Sequence, residues 1–494
     1  MAQPFSQTVG TAWAGARPFL LYSLFGLTLV GFFWLEKPLW ALLFVCALPV
    51  LALLMRRPTL GIFLIVVSTP FETFLSSDFL TIKAIKLGLV GLIAALLFLQ
   101  HLGRNREKLV IAKTEPYSWF FALMIVSALL ATLTAPSPSR SALGVAQIGL
   151  AFFYYWQVRT ESLPLSFAAK LLRLIIWVAV PVAALGIAQT LLGYSSFLGS
   201  AEQQATEALG GDFTPLGLER ASGLFGSSNA AGCFFAATAL LAGLHAMVFR
   251  RHRIAYWMIT GLLVLALLST FSRGAILAAL CSCLFFLAAS QRVKSRLKLA
   301  AALVGLVVTV FLVIPQETLI RYFRLESGDV IEAGSRTEVW GEGLALIRQH
   351  PLTGVGLYGF QEEAEKMKAH GEAAQHPHNG LLKALVEQGF LGGIAYLLLA
   401  ISFLRISLDT LRRGVSAGRE YYWIFAAIAC VGICLFGQEL VDAGFTVGGS
   451  SMAVLFVTLL AIQTSTRDTL ARDSAPAHRP SRRIAQWAPG GTAS

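Results

Sequence analysis

Charge is what this sequence has least of. Asp, Glu, Lys and Arg together make up 13% of its 494 residues, while apolar side chains make up 56% and the mean hydropathy is +0.68. A soluble core of this length does not need so much apolar surface, and about a quarter of an ordinary soluble domain is charged. A water-soluble globular protein is therefore excluded. Cysteine is scarce as well. Cys46, Cys233, Cys281, Cys283, Cys430 and Cys434 all fall inside apolar runs, which argues against a disulfide or zinc framework and for small apolar packing. No Asp-x-Asp pair occurs, no Ser or Cys is placed as a covalent nucleophile, and no internal repeat of the transporter kind is visible.

What fills the chain is a succession of apolar stretches, each long enough to cross about 30 Å of hydrocarbon as a helix. About fourteen can be read, near 18–35, 38–55, 58–75, 80–100, 117–134, 141–158, 173–193, 228–249, 254–271, 274–290, 299–315, 380–404, 421–437 and 448–464. The expected fold class is all-α, a polytopic integral membrane protein of about 12–14 transmembrane helices with one large periplasmic helical loop. The expected organisation is N-terminal membrane helices over 1–193, central helices with a smaller loop over 194–315, the large loop over 316–379, C-terminal helices over 380–464, and a disordered cytoplasmic tail over 465–494.

Basic residues outnumber acidic ones, 39 to 27. They cluster at alternate loops, at Arg56 and Arg57, Arg104 to Lys108, Arg250 to Arg253, Arg292 to Lys298, Arg412 to Arg419, and in the tail. By the positive-inside rule both termini are cytoplasmic, and the formal +12 reflects topology rather than nucleic acid or an acidic substrate.

Two loops on the opposite side, 194–227 and 316–379, are too long to be idle connectors. In the larger one, "GSRTEVWGEGLALIRQHPLTGVG" (334–356) reads as a short amphipathic helix. Ser335 and Glu338 fit a capping box, Trp340, Leu344 and Ile347 an apolar stripe, and Pro351 a stop. Arg336 then sits in the first turn, where a cation opposes the helix dipole. Two readings stand on this motif: a bidentate anion ligand beside free backbone N–H groups, suited to phosphate, or a rim arginine paired with Glu332 or Glu338. A second helix over 361–370 reads as charged nearly all round, a solvated cover.

The loop closes on "QHPHNG" (375–380). His376 and His378 flank Pro377, and Asn379 is placed to cap a helix beginning at Gly380. The positive end of that helix disfavours an imidazolium at His378, and a neutral imidazole can take a proton. A headgroup-level histidine and a zinc ligand are the competing readings, the latter weak without a nearby Cys or third ligand. Arg273, between two spans on the Arg-poor side, and Arg220, approaching from the smaller loop, add cations there. Such charges face an interior or a polar ligand more readily than lipid, with a headgroup contact as the plainer role for Arg220.

"RASGLFGSSNAAG", "FSRGAILAAL", "SRTEVWGEGLALIRQHPLTGVGLYGF" and "HPHNGLLKALVEQGFLGG", in that order and on that topology, resemble the O-antigen ligase and polymerase superfamily of bacterial envelope glycosyltransferases. The resemblance covers roughly residues 215–400. It implies a C-type membrane glycosyltransferase fold in the bacterial inner membrane, with its active site at the periplasmic face and no cofactor or metal. The implied donor is a glycan on undecaprenyl diphosphate, and the implied acceptor is lipid A-core or another glycan, among membrane lipids and with no nucleic acid. The catalytic histidine of the family would fall on His378 and its diphosphate-binding arginines on Arg336 and Arg273. Arg220, His376 and Asn379 would be substrate-binding. A ligase, a polymerase and a protein glycosyltransferase all remain open on these motifs, with ligase first. The competing class is a transporter or lipid-linked sugar flippase, which usually carries mid-span charges and broken helices. Glu72 and Asp78 are reserve candidates for an acidic outer-loop site, and Glu439 and Asp442 for acceptor contacts.

Overall fold

The computed structural model describes residues 50–71, 79–104, 116–161, 163–192, 220–225, 227–289, 330–367, 377–440 and 451–473. All regular structure among them is helical. The expected spans at 18–35 and 299–315, most of 38–55, and Glu72, Asp78, His376 and Asp442 lie outside the described residues. Residues up to Gly61 form one unit and Ile62 onward another.

The second unit is built, from Ile62 on, of α1 (Leu60–Ser68), α2 (Phe79–Arg104), α3 (Pro116–Thr132), α4 (Pro138–Thr160), α5 (Leu165–Leu192), α6 (Ser228–Val248), α7 (Arg253–Ser269) and α8 (Arg273–Ala289). They are followed by α9 (Val330–Gln349), α10 (Phe360–Met367), α11 (Gly380–Ala417), α12 (Arg419–Glu439) and α13 (Ser451–Asp473). From α2 on, the membrane helices overlie the expected spans closely. Among the described residues α5, α6, α11 and α12 are long and apolar enough to cross a membrane, and the apolar parts of α2, α3, α7 and α8 are shorter. The protein is a polytopic, all-helical membrane protein.

The core sits on α12 and α6. Tyr422 to Val431 of α12 are buried without a break, as expected for a helix apolar all round and surrounded by others. Around α12 pack α6, α8, α11 and α13, while α3 lies against α11, α4 against α3 and α13, and α7 against α6 and α5. Gly and Ala along α6 permit close contact, which is how helices associate where water gives no driving force. A Cβ at Gly232 would stand 2.9 Å from Ser272 Cβ and 2.9 Å from Thr270 Oγ1. Buried polar side chains tie the bundle: Tyr117 donates to Gln463 at 3.2 Å, and Gln463 donates to Ser407 at 3.0 Å. On the outer faces Trp177, Ile254, Met258, Leu277 and Ile401 are exposed apolar residues, as a lipid-facing surface requires.

Three expectations need correction. The helix carrying Arg336 begins at Val330 rather than beside Ser335, so Ser335 and Glu338 form no terminal capping box and Arg336 lies beyond the first turn. The backbone from Val330 is already helical, and a cap must stand where helical geometry starts. Its packed stripe is Val339, Gly343, Leu346 and Ile347, which keeps Ile347 of the expected stripe but leaves Trp340 and Leu344 outward, 39% and 52% exposed. The 361–370 helix starts at Phe360, and Phe360 and Ala364 are buried against Val386; one added aromatic turns a charged cover into an amphipathic, docked helix. At the other end, α13 runs to Asp473, so 465–473 is helix rather than disordered tail, anchored by the Arg159–Asp468 ion pair at 3.7 Å.

Candidate functional site

The N-termini of α6, α8 and α11 gather at one end of the bundle. Ser272, just before α8, donates from Oγ to Asn229 Oδ1 in the first turn of α6 at 2.9 Å. Ala278 of α8 lies against Gly437 near the end of α12, and the carbonyl of Leu440, which follows α12, accepts from Asn379 Nδ2 at 2.9 Å. Asn379 caps α11. Each helix N-terminus contributes unsatisfied N–H groups and about half a positive charge, so this end of the bundle attracts anions.

Arg220, Arg273 and His378 all sit here. Arg220 is half-buried, with Nε donating to Thr270 O at 3.1 Å and Nη2 to Asn229 Oδ1 at 3.4 Å. Arg273 is the first residue of α8 and is exposed. The turn that presents it is tight: Thr270 Oγ1 bonds Leu267 O at 2.7 Å, and Phe271 takes a left-handed φ of 51°. Arg336 lies within α9, and its side chain is outside what is described.

His378 is half-buried and adopts φ 47°, a conformation uncommon for residues other than glycine and concentrated at functional sites. Its neighbours hold it there. Asn379 caps α11 by accepting from Leu382 N at 2.9 Å, as its sequence position suggested. With Oδ1 on that N–H and Nδ2 on Leu440 O, the amide acts as a joint between α11 and α12. On the other side, Trp340 Nε1 donates to Pro377 O at 2.9 Å.

Beneath His378, α11 carries a buried polar column. Lys383 is 7% exposed, with Nζ 5.9 Å above the Tyr358 ring, a cation–π distance. One turn on, Glu387 is 1% exposed and takes the Tyr358 backbone N–H on its carboxyl. Tyr358 donates its hydroxyl to Gln147 Oε1 at 2.6 Å. Burial, with the Glu387 side chain second, pushes the Tyr358 phenol up to about 12, so it remains a donor at any working pH. Reading the sequence missed this column. Its signal was a Lys and a Glu four residues apart in an otherwise apolar span, a spacing that puts both on one face.

At Gly389 (φ 65°, ψ −165°) α11 breaks, and the 351–356 turn docks into the break. Val355 N donates to Val386 O at 2.9 Å, Gly356 N to Glu387 O at 3.0 Å, and Phe390 N to Pro351 O at 2.9 Å. Gly354 and Gly389 interlock there. A Cβ on Gly354 would come within 2.5 Å of the Glu387 carbonyl carbon, and one on Gly389 would strike the Leu352 carbonyl. The loop is thereby joined to the membrane helix whose N-terminus carries His378.

Glu439, the last residue of α12, is buried rather than facing water. Sequence reading also passed over Asn229, although an Asn two residues after an N-cap Ser, in a helix of small apolar residues, stands out. Residues 258–397 match the family model described as O-Antigen ligase; this segment holds Arg273, Arg336, His376, His378 and Asn379, and Arg220 lies before it. No curated protein matches the chain.

Proposed function

We propose, from the match of residues 258–397 to the O-antigen ligase family model, that the chain transfers a glycan from undecaprenyl diphosphate to a hydroxyl of lipid A-core at the periplasmic face of the bacterial inner membrane. One observation carries the reading. Arg220, Arg273 and His378 lie toward the same end of the bundle, where α6, α8 and α11 point their N-termini, which supports this reading.

In this mechanism His378 takes the proton from the acceptor hydroxyl as its oxygen attacks the anomeric carbon. The bond to the diphosphate oxygen breaks in the same inverting step, and the electron pair leaves with the lipid diphosphate. Arg273, Arg336 and Arg220, with the helix N-termini, hold the diphosphate and stabilise the charge growing on it. Such a leaving group needs no general acid and, with guanidinium groups in place, no metal ion. His376 and Asn379 flank the base; Asn379 acts by fixing the start of α11.

A flippase is disfavoured by the way the break in α11 at Gly389 is filled. Transporters leave backbone groups at a helix break for the substrate, whereas here Val386 O, Glu387 O and Phe390 N are taken by the protein's own loop.

Purified protein, a defined lipid-diphosphate-linked glycan and EDTA test the reaction. Transfer to lipid A-core is expected. Transfer only to a second lipid-linked glycan identifies a polymerase, and transfer only to a protein serine a protein glycosyltransferase. No transfer to any of them, or loss of activity in EDTA, overturns the proposal. Labelling from outside intact spheroplasts should reach a cysteine placed at position 378, and labelling only from the cytosol overturns the sidedness.

A further inference from the structure

Asn229 stands between the two arginines at the head of the bundle. It is the second residue of α6, whose first turn is fixed by Ser227 Oγ accepting from Ala230 N at 3.2 Å. Its amide oxygen takes two donors, Ser272 Oγ at 2.9 Å and Arg220 Nη2 at 3.4 Å. Ser272 is the residue before Arg273. One oxygen therefore joins the side chain of Arg220 to the backbone segment that presents Arg273.

Arg220 is held on two edges, at Nε by Thr270 O and at Nη2 by Asn229 Oδ1, and two points fix the plane of a guanidinium. The contact depends on α6 lying tight against the α7–α8 turn, which Gly232 permits. The choice of an amide has a chemical reason. A carboxylate would form the same two hydrogen bonds and cancel the cation, whereas an amide oxygen fixes the guanidinium and leaves its charge for a ligand.

We propose that Asn229 is the positioning residue that sets Arg220 against Arg273 at the spacing a diphosphate requires, so that the site favours a lipid diphosphate over a lipid monophosphate. This role rests on the proposed function, in which these arginines hold the diphosphate of the donor.

The test is binding of farnesyl diphosphate and farnesyl monophosphate to the full-length protein in detergent, with thermal stability measured alongside. Asn229→Ala is expected to weaken the diphosphate about tenfold, the scale of a hydrogen bond to a charged group, with little effect on the monophosphate. In an Arg220→Ala background the same change is expected to add nothing, because the group it positions is gone. An equal loss in both backgrounds, or wild-type binding by Asn229→Ala, overturns the proposal. Asn229→Asp keeps both hydrogen bonds and so tests the idea even if the alanine variant is unstable. Its added charge weakens anion binding whatever Asn229 does, so the readout is the ratio of the two ligands. The proposal predicts that Asn229→Asp, which keeps the spacing, retains the preference for the diphosphate that Asn229→Ala loses, and loss of that preference in Asn229→Asp overturns it. Wild-type binding by both Arg220→Ala and Arg273→Ala would instead remove the diphosphate reading itself, and the proposal with it. That result is recognisable because the arginine variants alone produce it.

Discussion

The indole of Trp340 donates to the carbonyl of Pro377 at 2.9 Å, so the loop helix holds the residue immediately before His378. Trp340→Phe keeps an aromatic ring and removes that bond. Turnover is expected to fall about tenfold with stability changed by less than about 1 kcal/mol, in line with one lost hydrogen bond. Steady-state transfer kinetics and thermal unfolding check this, and unchanged turnover would detach Trp340 from the positioning of the base.

His378→Ala is expected to lose roughly 10²–10⁴-fold in turnover while expression is unchanged, the usual contribution of a general base. Full activity in purified protein would remove the assignment. Arg273→Lys and Arg336→Lys should each be impaired, because an ammonium group lacks the planar fork that grips two phosphate oxygens.

Asn379 separates a cap from a joint. Asn379→Ala removes both the bond to Leu382 N and the bond to Leu440 O, and is expected to destabilise by about 1–2 kcal/mol. Asn379→Ser can restore the cap but does not carry the amide donor to Leu440, so it should recover part of the stability and less of the activity. Complete recovery of both would show that the α11–α12 joint contributes nothing.

Much of the fold was legible in the sequence, and the reasons are physical. Apolar length and flanking polar residues marked α2 to α8 and α11 to α13, because a bilayer demands continuous runs. Asn379 was readable as a cap because capping is local. The start of α9 was not: Ser335 and Glu338 mimic a capping box, but nothing local tells that Val330 to Gly334 are already helical. Burial of Phe360 depends on Val386, which is distant in sequence, so 361–370 looked solvated. The links from Asn229 to Arg220 and Ser272 join three separate segments and have no local signature at all.

Tyr358 predicts an alkaline transition. Its folded pKa of about 12 lies above the ordinary 10.0, so the folded state disfavours the phenolate. The associated stability is fully present below pH 10 and is lost as pH rises from 10 to 12. Tyr358→Phe should flatten that decline while losing the bond to Gln147. Thermal unfolding across this range measures it, and an unchanged slope in the variant would exclude Tyr358 as the titrating group.

Gly389→Ala should be among the most damaging single changes. Its φ and ψ belong to a region open essentially to glycine alone, and the added methyl strikes the Leu352 carbonyl. A loss of about 3 kcal/mol or more is expected, seen as failure to purify a monodisperse protein. Gly354→Ala should behave alike, since the two glycines interlock.

The docking of 351–356 into the break of α11 also defines what can be exchanged between relatives. Carbonyls bared by a buried helix break need donors, and here those donors come from a segment that reads as surface loop. A chimera that swaps this loop while keeping the recipient's helix would leave such groups buried without partners, and should fail at folding rather than at chemistry. The smallest portable module therefore runs unbroken from Pro351 through Phe390, and crossovers placed inside it should be purged from any recombined library.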